Sequence, residues 1–194
     1  DLPKMTGLGT SSSFAVGLLH ALHALRGEFR SKIQLAEEAI HVERDRCGDR
    51  VGSQDQVSAA FGGLNRIGFA PDGSISVDPI PLPAERMAKF QDSLLLFFTG
   101  FSRYSSEVVA EQLQNVPRKQ KELAEMAAMV GQGIRILTEG RDLADFGRLL
   151  HEGWLIKRSL SSRVSTPEID AMYATARQAG ATGGKITGAG GGGF

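Results

Sequence analysis

The stretch that most constrains this chain is Gly7-Leu8-Gly9-Thr10-Ser11-Ser12-Ser13, because it runs without a break into an apolar pattern of helical spacing. Phe14, Ala15, Leu18, Leu19, Leu22 and Leu25 recur at three- and four-residue intervals, which predicts a helix from Thr10 to Leu25 that stops near Gly27. A helix start leaves backbone N–H groups unpaired, and glycines just before it let a ligand approach the backbone closely. With the positive end of the helix dipole, such a loop is an anion site, most often for phosphate. The plainer account is a flexible loop with Thr10 or Ser11 capping the helix. The loop alone does not choose between them.

Further along, Ser31 with Gln34 reads as a capping box opening a second helix, whose apolar stripe is Leu35, Ala36, Ala39 and Ile40. Glu43 falls on that inward stripe. A carboxylate placed there needs a cation nearby, and Arg44, Arg46 and Arg50 are the local candidates for an ion pair. In Gly52-Ser53-Gln54-Asp55-Gln56, Ser53 and Gln56 form a second apparent capping box, and Asp55 becomes an early helical residue. The dipole there favours its ionised form, able to orient an alcohol and take its proton; a first-turn Asp is equally ordinary helix chemistry.

Gly62-Gly63 ends that helix. Residues 64–70 and 74–80 read as strands around Pro71-Asp72-Gly73. Pro79, Pro81 and Pro83 form a stiff connector, so the expected domains are 1–82 and 83–194. In the second, residues 93–99 read as a buried strand. Helices follow at 105–115, from Pro117 to about 140, from Asp142 with Leu143, Phe146, Leu150 and Trp154 inward, and from Thr166-Pro167 to about 179. Lys157 lies three residues after Trp154, near the apolar face, where such a side chain usually snorkels to solvent.

The C-terminal stretch Gly183-Gly184-Lys185-Ile186-Thr187-Gly188-Ala189-Gly190-Gly191-Gly192-Gly193 tempts two familiar readings. A Walker A loop fails, because Ala179 stands at its first glycine and Ile186 follows the lysine where Ser or Thr is needed. A dinucleotide fingerprint needs a preceding strand, a following helix and a later acidic residue, and the pattern supplies none of these. What remains is a backbone that a loop or a ligand approaches closely.

Twenty-two basic and 22 acidic residues balance, so no global field points to nucleic acid. No apolar run reaches the roughly 20 residues of a membrane span. Cys47 is the one cysteine, which rules out an internal disulfide and suits a cytoplasmic setting. The sequence opens and closes inside motifs, so it is expected to be part of a longer chain.

Three separated motifs together carry a resemblance. Pro3-x-x-x-Gly7-Leu8-Gly9-Thr10-Ser11-Ser12 resembles the phosphate loop of the GHMP small-molecule kinases; Gly52-Ser53-Gln54-Asp55-Gln56 resembles their catalytic-Asp segment; Lys185 to Gly193 resembles their glycine-rich third motif. Ala59-Ala60-Phe61-Gly62-Gly63-Leu64-Asn65, Phe97-Phe98-Thr99-Gly100-x-x-Arg103 and Leu149-Leu150-His151-Glu152-x-Trp154-x-x-Lys157-Arg158 are similar to the bacterial D-glycero-D-manno-heptose 7-phosphate kinases, and fucokinases share parts of them. The resemblance implies an α+β, two-domain fold, S5-like then ferredoxin-like, truncated at both ends. It implies ATP and Mg²⁺, with phosphoryl transfer to a sugar phosphate at the anomeric oxygen. ATP would lie on Gly7, Leu8, Gly9, Thr10, Ser11 and Ser12 and near Gly190 and Gly191. Ser11 and Glu43 would hold Mg²⁺, Asp55 would act as base, and Arg103 and Lys157 would meet the sugar's own phosphate. A neutral-sugar kinase, or a non-catalytic sugar and ATP sensor on the same scaffold, stays open as an alternative. So does a homodimer; nucleic-acid and membrane partners are not expected.

Overall fold

A computed structural model describes residues 7–48, 52–101 and 105–194. The chain divides into two compact units: one is Gly9–Ile80, and the other joins Asp1–Leu8 to Pro81–Phe194.

The Gly9–Ile80 unit contains α1 (Thr10–Leu25), α2 (Lys32–His41), α3 (Gln54–Phe61) and a hairpin of β1 (Asn65–Phe69) and β2 (Ile75–Pro79). The hairpin is antiparallel, with Ile67 opposite Val77, and it turns at the predicted Asp72-Gly73. The three helices pack on one another around Val16, Leu35, Ala36, Ala39 and Val57. The predicted capping box at Ser31 and Gln34 is present. The one predicted at Ser53 and Gln56 is not: Ser53 makes no cap bond, its Oγ accepts instead from Arg44 Nη2 at 2.6 Å, and Gln56 turns inward. At its end α2 loosens into a π-helical turn, Val42–Arg46, which carries Glu43. Such turns recur at functional sites.

The inward side of α1 is not its leucine stripe. Phe14, Leu18, Leu22 and Leu25 face outward, at 70, 45, 47 and 84% exposure, while Ser12, Val16 and His23 are buried. His23 Nδ1 lies 2.9 Å from Glu28 Oε2, and its Nε2 lies 2.7 Å from Glu38 Oε2 on α2. Two carboxylates facing the ring favour its imidazolium form, in which both nitrogens donate. Those hydrogen bonds, Glu38 first, hold its pKa above the ordinary 6.5, against the opposing effects of burial and of nearby Arg30. A folded pKa raised in this way stabilises at low pH and stops doing so as pH rises through it. The melting temperature is therefore expected to fall as pH is raised from about 6.5, and His23→Gln should remove that decline. A parallel decline in both proteins would show that the ring does not link α1 to α2 in this way.

The second unit is helical among the described residues: α4 (Ala84–Asp92), α5 (Ser105–Asn115), α6 (Gln120–Thr138), α7 (Leu143–Ser159) and α8 (Pro167–Gln178). Asp142 caps α7 through Ala144 N, and Thr166 caps α8 through Ile169 N, as their sequences predict. Pro117 sits in a short 3₁₀ turn, Val116–Arg118, and α6 begins only at Gln120. Helix α4 was not expected. It buries Phe90, whose ring meets Phe146 edge-on at 5.0 Å. The core is Val108, Trp154, Val164, Ile169 and Ile186, flanked by Phe101, Tyr173 and Ala189. A valine or isoleucine of this core contributes about 1.5–3 kcal/mol when fully buried.

Residues 93–99 do not form the predicted strand. A strand needs a neighbour for its N–H and C=O groups, and here Leu94 N closes the α4 end on Gln91 O, while Thr99 N alone in 95–99 reaches a partner segment, Gly193 O at 2.8 Å, among the described residues. Leu95 and Phe97 stand exposed as a result. The fold class remains α+β, its sheet reduced to one hairpin among the described residues. No described helix is long and apolar enough to cross a membrane.

Candidate active site

In the Gly9–Ile80 unit the start of α1, which carries the later part of the phosphate-loop candidate, and the acidic residues come together. The N-cap of α1 is Gly9, at φ 66°, with no side-chain hydrogen bond closing the helix start. The predicted hydroxyl caps are thus absent, and the first N–H groups stay open to an anion. The Asp55 carboxyl lies directly against Gly9: a Cβ placed on Gly9 would come within 3.2 Å of Asp55 Cβ and Cγ. Asp55 is half-buried. Burial pushes its carboxyl above the ordinary carboxylate range, a hydrogen bond with Gln54 works the other way, and the Glu43 charge adds to the rise.

Glu43 is buried at 6% exposure. One of its oxygens, Oε2, accepts from Ser12 Oγ at 2.9 Å and also from Gln56 Nε2. Both donors are neutral. The ion pair predicted with a local arginine is not found among the described residues: Arg44 goes to Ser53, and Arg50 lies outside them. Gln56 is 1% exposed, and its Oε1 is buried without a partner. A buried carboxylate with no counter-cation among the described residues, and an orphaned amide oxygen beside it, suit a hard cation that prefers oxygen ligands. The described residues hold no group of three or more His, Cys, Asp or Glu able to bind a metal by themselves. Such an ion would complete its shell from phosphate and water, as Mg²⁺ commonly does.

The other unit holds the C-terminal glycine run. Gly190, at φ 104°, packs so closely on the 160s loop that a Cβ there would sit 2.7 Å from Val164 O, and Gly191 N donates to the same oxygen at 2.9 Å. Gly7 meets this run: a Cβ on Gly7 would be 3.3 Å from Thr187 Oγ1, and one on Gly188 would be 3.5 Å from Gly7 Cα. The close approach that the glycines predict is therefore made by other backbone.

Two family models match this arrangement of motifs: the GHMP kinases N terminal domain over residues 1–63 and the GHMP kinases C terminal over residues 134–194, between them more than half of the chain. The chain belongs to the GHMP kinase family. Among relatives of this GHMP kinase chain, D-glycero-alpha-D-manno-heptose 7-phosphate kinase of Campylobacter jejuni is 32% identical, over 100% of the chain and 58% of the relative. Galactokinase of Pyrococcus furiosus is 29% identical, over 100% and 60%. The crystal structure of a D-glycero-D-manno-heptose 1-phosphate kinase from Bacteriodes thetaiotaomicron superposes with a TM-score of 0.73 at 28% identity, over 98% of this chain and 53% of that one. The chain thus spans a little over half the length of each.

Within this GHMP kinase chain, the structure puts Gly9, Thr10, Ser12, Glu43 and Asp55 in one unit, and Gly7, Leu8, Gly190, Gly191 and Lys157 in the other. Ser11, the hydroxyl expected beside the metal, is exposed; its neighbour Ser12 is the one that reaches Glu43. Arg103 lies outside the described residues. Lys157 does not snorkel: it is buried at 8% exposure, with Nζ donating to Ile186 O at 3.1 Å and Gly188 O at 2.5 Å. Gln56 is the site residue that sequence reasoning passed over, since its capping-box position explained it locally. Ser12 had a signal of its own, because with Val16, Leu19 and His23 it marks a second face of α1, away from Phe14, Leu18, Leu22 and Leu25.

The contact between Gly9 and Asp55 gives a direct expectation. Gly9→Ala should lower turnover by about a hundredfold, since a methyl at positive φ is strained and would press on the Asp55 carboxyl. The check is steady-state kinetics beside a thermal melt; a well-folded variant with normal turnover would remove Gly9 from the site.

Proposed function

We propose that the protein is an ATP- and Mg²⁺-dependent sugar kinase whose acceptor is a sugar phosphate, with the anomeric hydroxyl of D-glycero-D-manno-heptose 7-phosphate as the first choice. The observation that carries the reading is the Asp55 carboxyl seated against Gly9 at the uncapped start of α1, with Glu43 buried nearby and without a cation partner among the described residues. In this reading the backbone of Gly7 to Ser12 takes the nucleotide phosphates, and Gly190 and Gly191 are further nucleotide neighbours. Asp55 orients the sugar hydroxyl and accepts its proton as the oxygen bonds to the γ-phosphorus and the bond to ADP breaks. Glu43, with the hydroxyl of Ser11 or Ser12, holds Mg²⁺, which would neutralise charge on the phosphates.

The choice of a phosphorylated sugar rests on the heptose kinase relatives. Of the two cations expected to meet the sugar's phosphate, Lys157 already has carbonyl partners, an observation that favours a neutral-sugar kinase as the second reading. The deciding experiment is an assay of the whole protein with ATP and Mg²⁺ against heptose 7-phosphate, other sugar phosphates, and the neutral sugars galactose and fucose. Turnover of phosphorylated sugars supports the first reading and turnover of neutral sugars the second. ATP binding with no turnover of any acceptor would leave a sensor. A cytoplasmic homodimer completes the proposal.

A further inference from the structure

Lys157 is a charged residue where a methionine would pack at lower cost. It projects from α7 one turn beyond Trp154, which is 1% exposed at the centre of the core, and it is itself nearly as buried. No ion pair to it is found among the described residues. Burial, with the charge of Lys185 adding to it, lowers its pKa from 10.5 to about 8, so the ammonium is held at an energetic disadvantage. Two backbone acceptors, Ile186 O and Gly188 O, offset that disadvantage. They flank Thr187, and Thr187 is the residue that faces Gly7. The side chain of Ile186 belongs to the core cluster, so the clamp ties this segment to α7 at the point where it leaves the core.

We infer that Lys157 is a positioning residue: its ammonium fastens the backbone of the glycine run on either side of Thr187, and so fixes the surface on which Gly7 of the phosphate loop rests. Lys157 then acts on nucleotide binding through the loop and does not touch the acceptor. The effect on nucleotide rests on the kinase reading above; the clamp itself does not.

Lys157→Met removes the donors and keeps the volume. In the whole protein, amide exchange over residues 186–191 is expected to quicken about tenfold or more, and Kd and KM for ATP to rise about tenfold, from the loss of hydrogen bonds made by a charged group. The KM for the sugar acceptor and the melting temperature should stay nearly unchanged. If the Met variant fails to fold, Lys157→Gln, too short to span both carbonyls, is read in the same way. Unchanged exchange over 186–191 would overturn the clamp. Weakened acceptor binding with ATP binding intact would overturn it too, and would return Lys157 to the acceptor's phosphate. If the wild-type protein binds no ATP, the kinase reading fails, while the exchange comparison still decides the clamp.

Discussion

Asp55→Asn is expected to lower turnover by roughly a hundred- to ten-thousandfold, the usual worth of a positioned base, while ATP still binds. The substitution preserves the shape of the side chain against Gly9 and its place at the start of α3. It removes only the ability to take a proton from the acceptor. A second consequence separates this result from simple damage. The folded pKa of Asp55 is raised, so any stabilisation from its protonated form is lost as pH rises through that value, and at neutral pH its ionised carboxylate is a net burden on the fold. The Asn variant should therefore melt no lower than wild type at pH 7, and the two should converge below about pH 4, where the unfolded carboxyl is also protonated. Turnover near the wild-type value would end the assignment of Asp55 as the base. A variant that melted well below wild type at neutral pH would show that the carboxylate is structural.

Glu43→Gln should be the other large effect. The amide keeps an oxygen for Ser12 and Gln56, so the local packing can persist. The charge that would attract the cation is gone. Turnover is expected to fall by about a hundredfold or more, with a higher Mg²⁺ concentration needed to reach half of what remains. Because the Glu43 charge is one of the causes that raise the Asp55 pKa, the acid limb of the pH–rate profile should also move to lower pH. Titrating Mg²⁺ at fixed ATP in both proteins makes the measurement, and an unchanged Mg²⁺ dependence would place the cation on other residues.

What could be read from the sequence was whatever local chemistry decides. Helix α1 has the bounds that the glycines before and after it dictate, and α5 and α8 likewise match their sequence ranges. The hairpin follows from its Asp-Gly turn. Partners far along the chain were hidden. Gln56 completes a capping box by spacing, yet a carboxylate 13 residues earlier turns its amide inward. Lys157 reads as a snorkelling side chain, since its acceptors are carbonyls 29 and 31 residues away. Residues 93–99 are apolar enough for a buried strand, but a strand also needs neighbours, and composition does not report them. The outward leucines of α1 are the same lesson reversed: periodicity found the helix, and the contacts of Ser12 and His23 decided which way it faces.

The packing of Gly7 on Thr187 and Gly188 also sets an order of events during synthesis. Residues 9–80 are one uninterrupted stretch and have all their internal partners as soon as they leave the ribosome. Gly7 is made before them, and its resting surface is translated roughly 180 residues later, on the order of ten seconds or more at about 5–20 residues per second. The phosphate loop is thus made well before the surface that fixes it. Through that interval the newly made helices beside it must hold their own shape, with the loop's final conformation waiting on the closing residues of the glycine run.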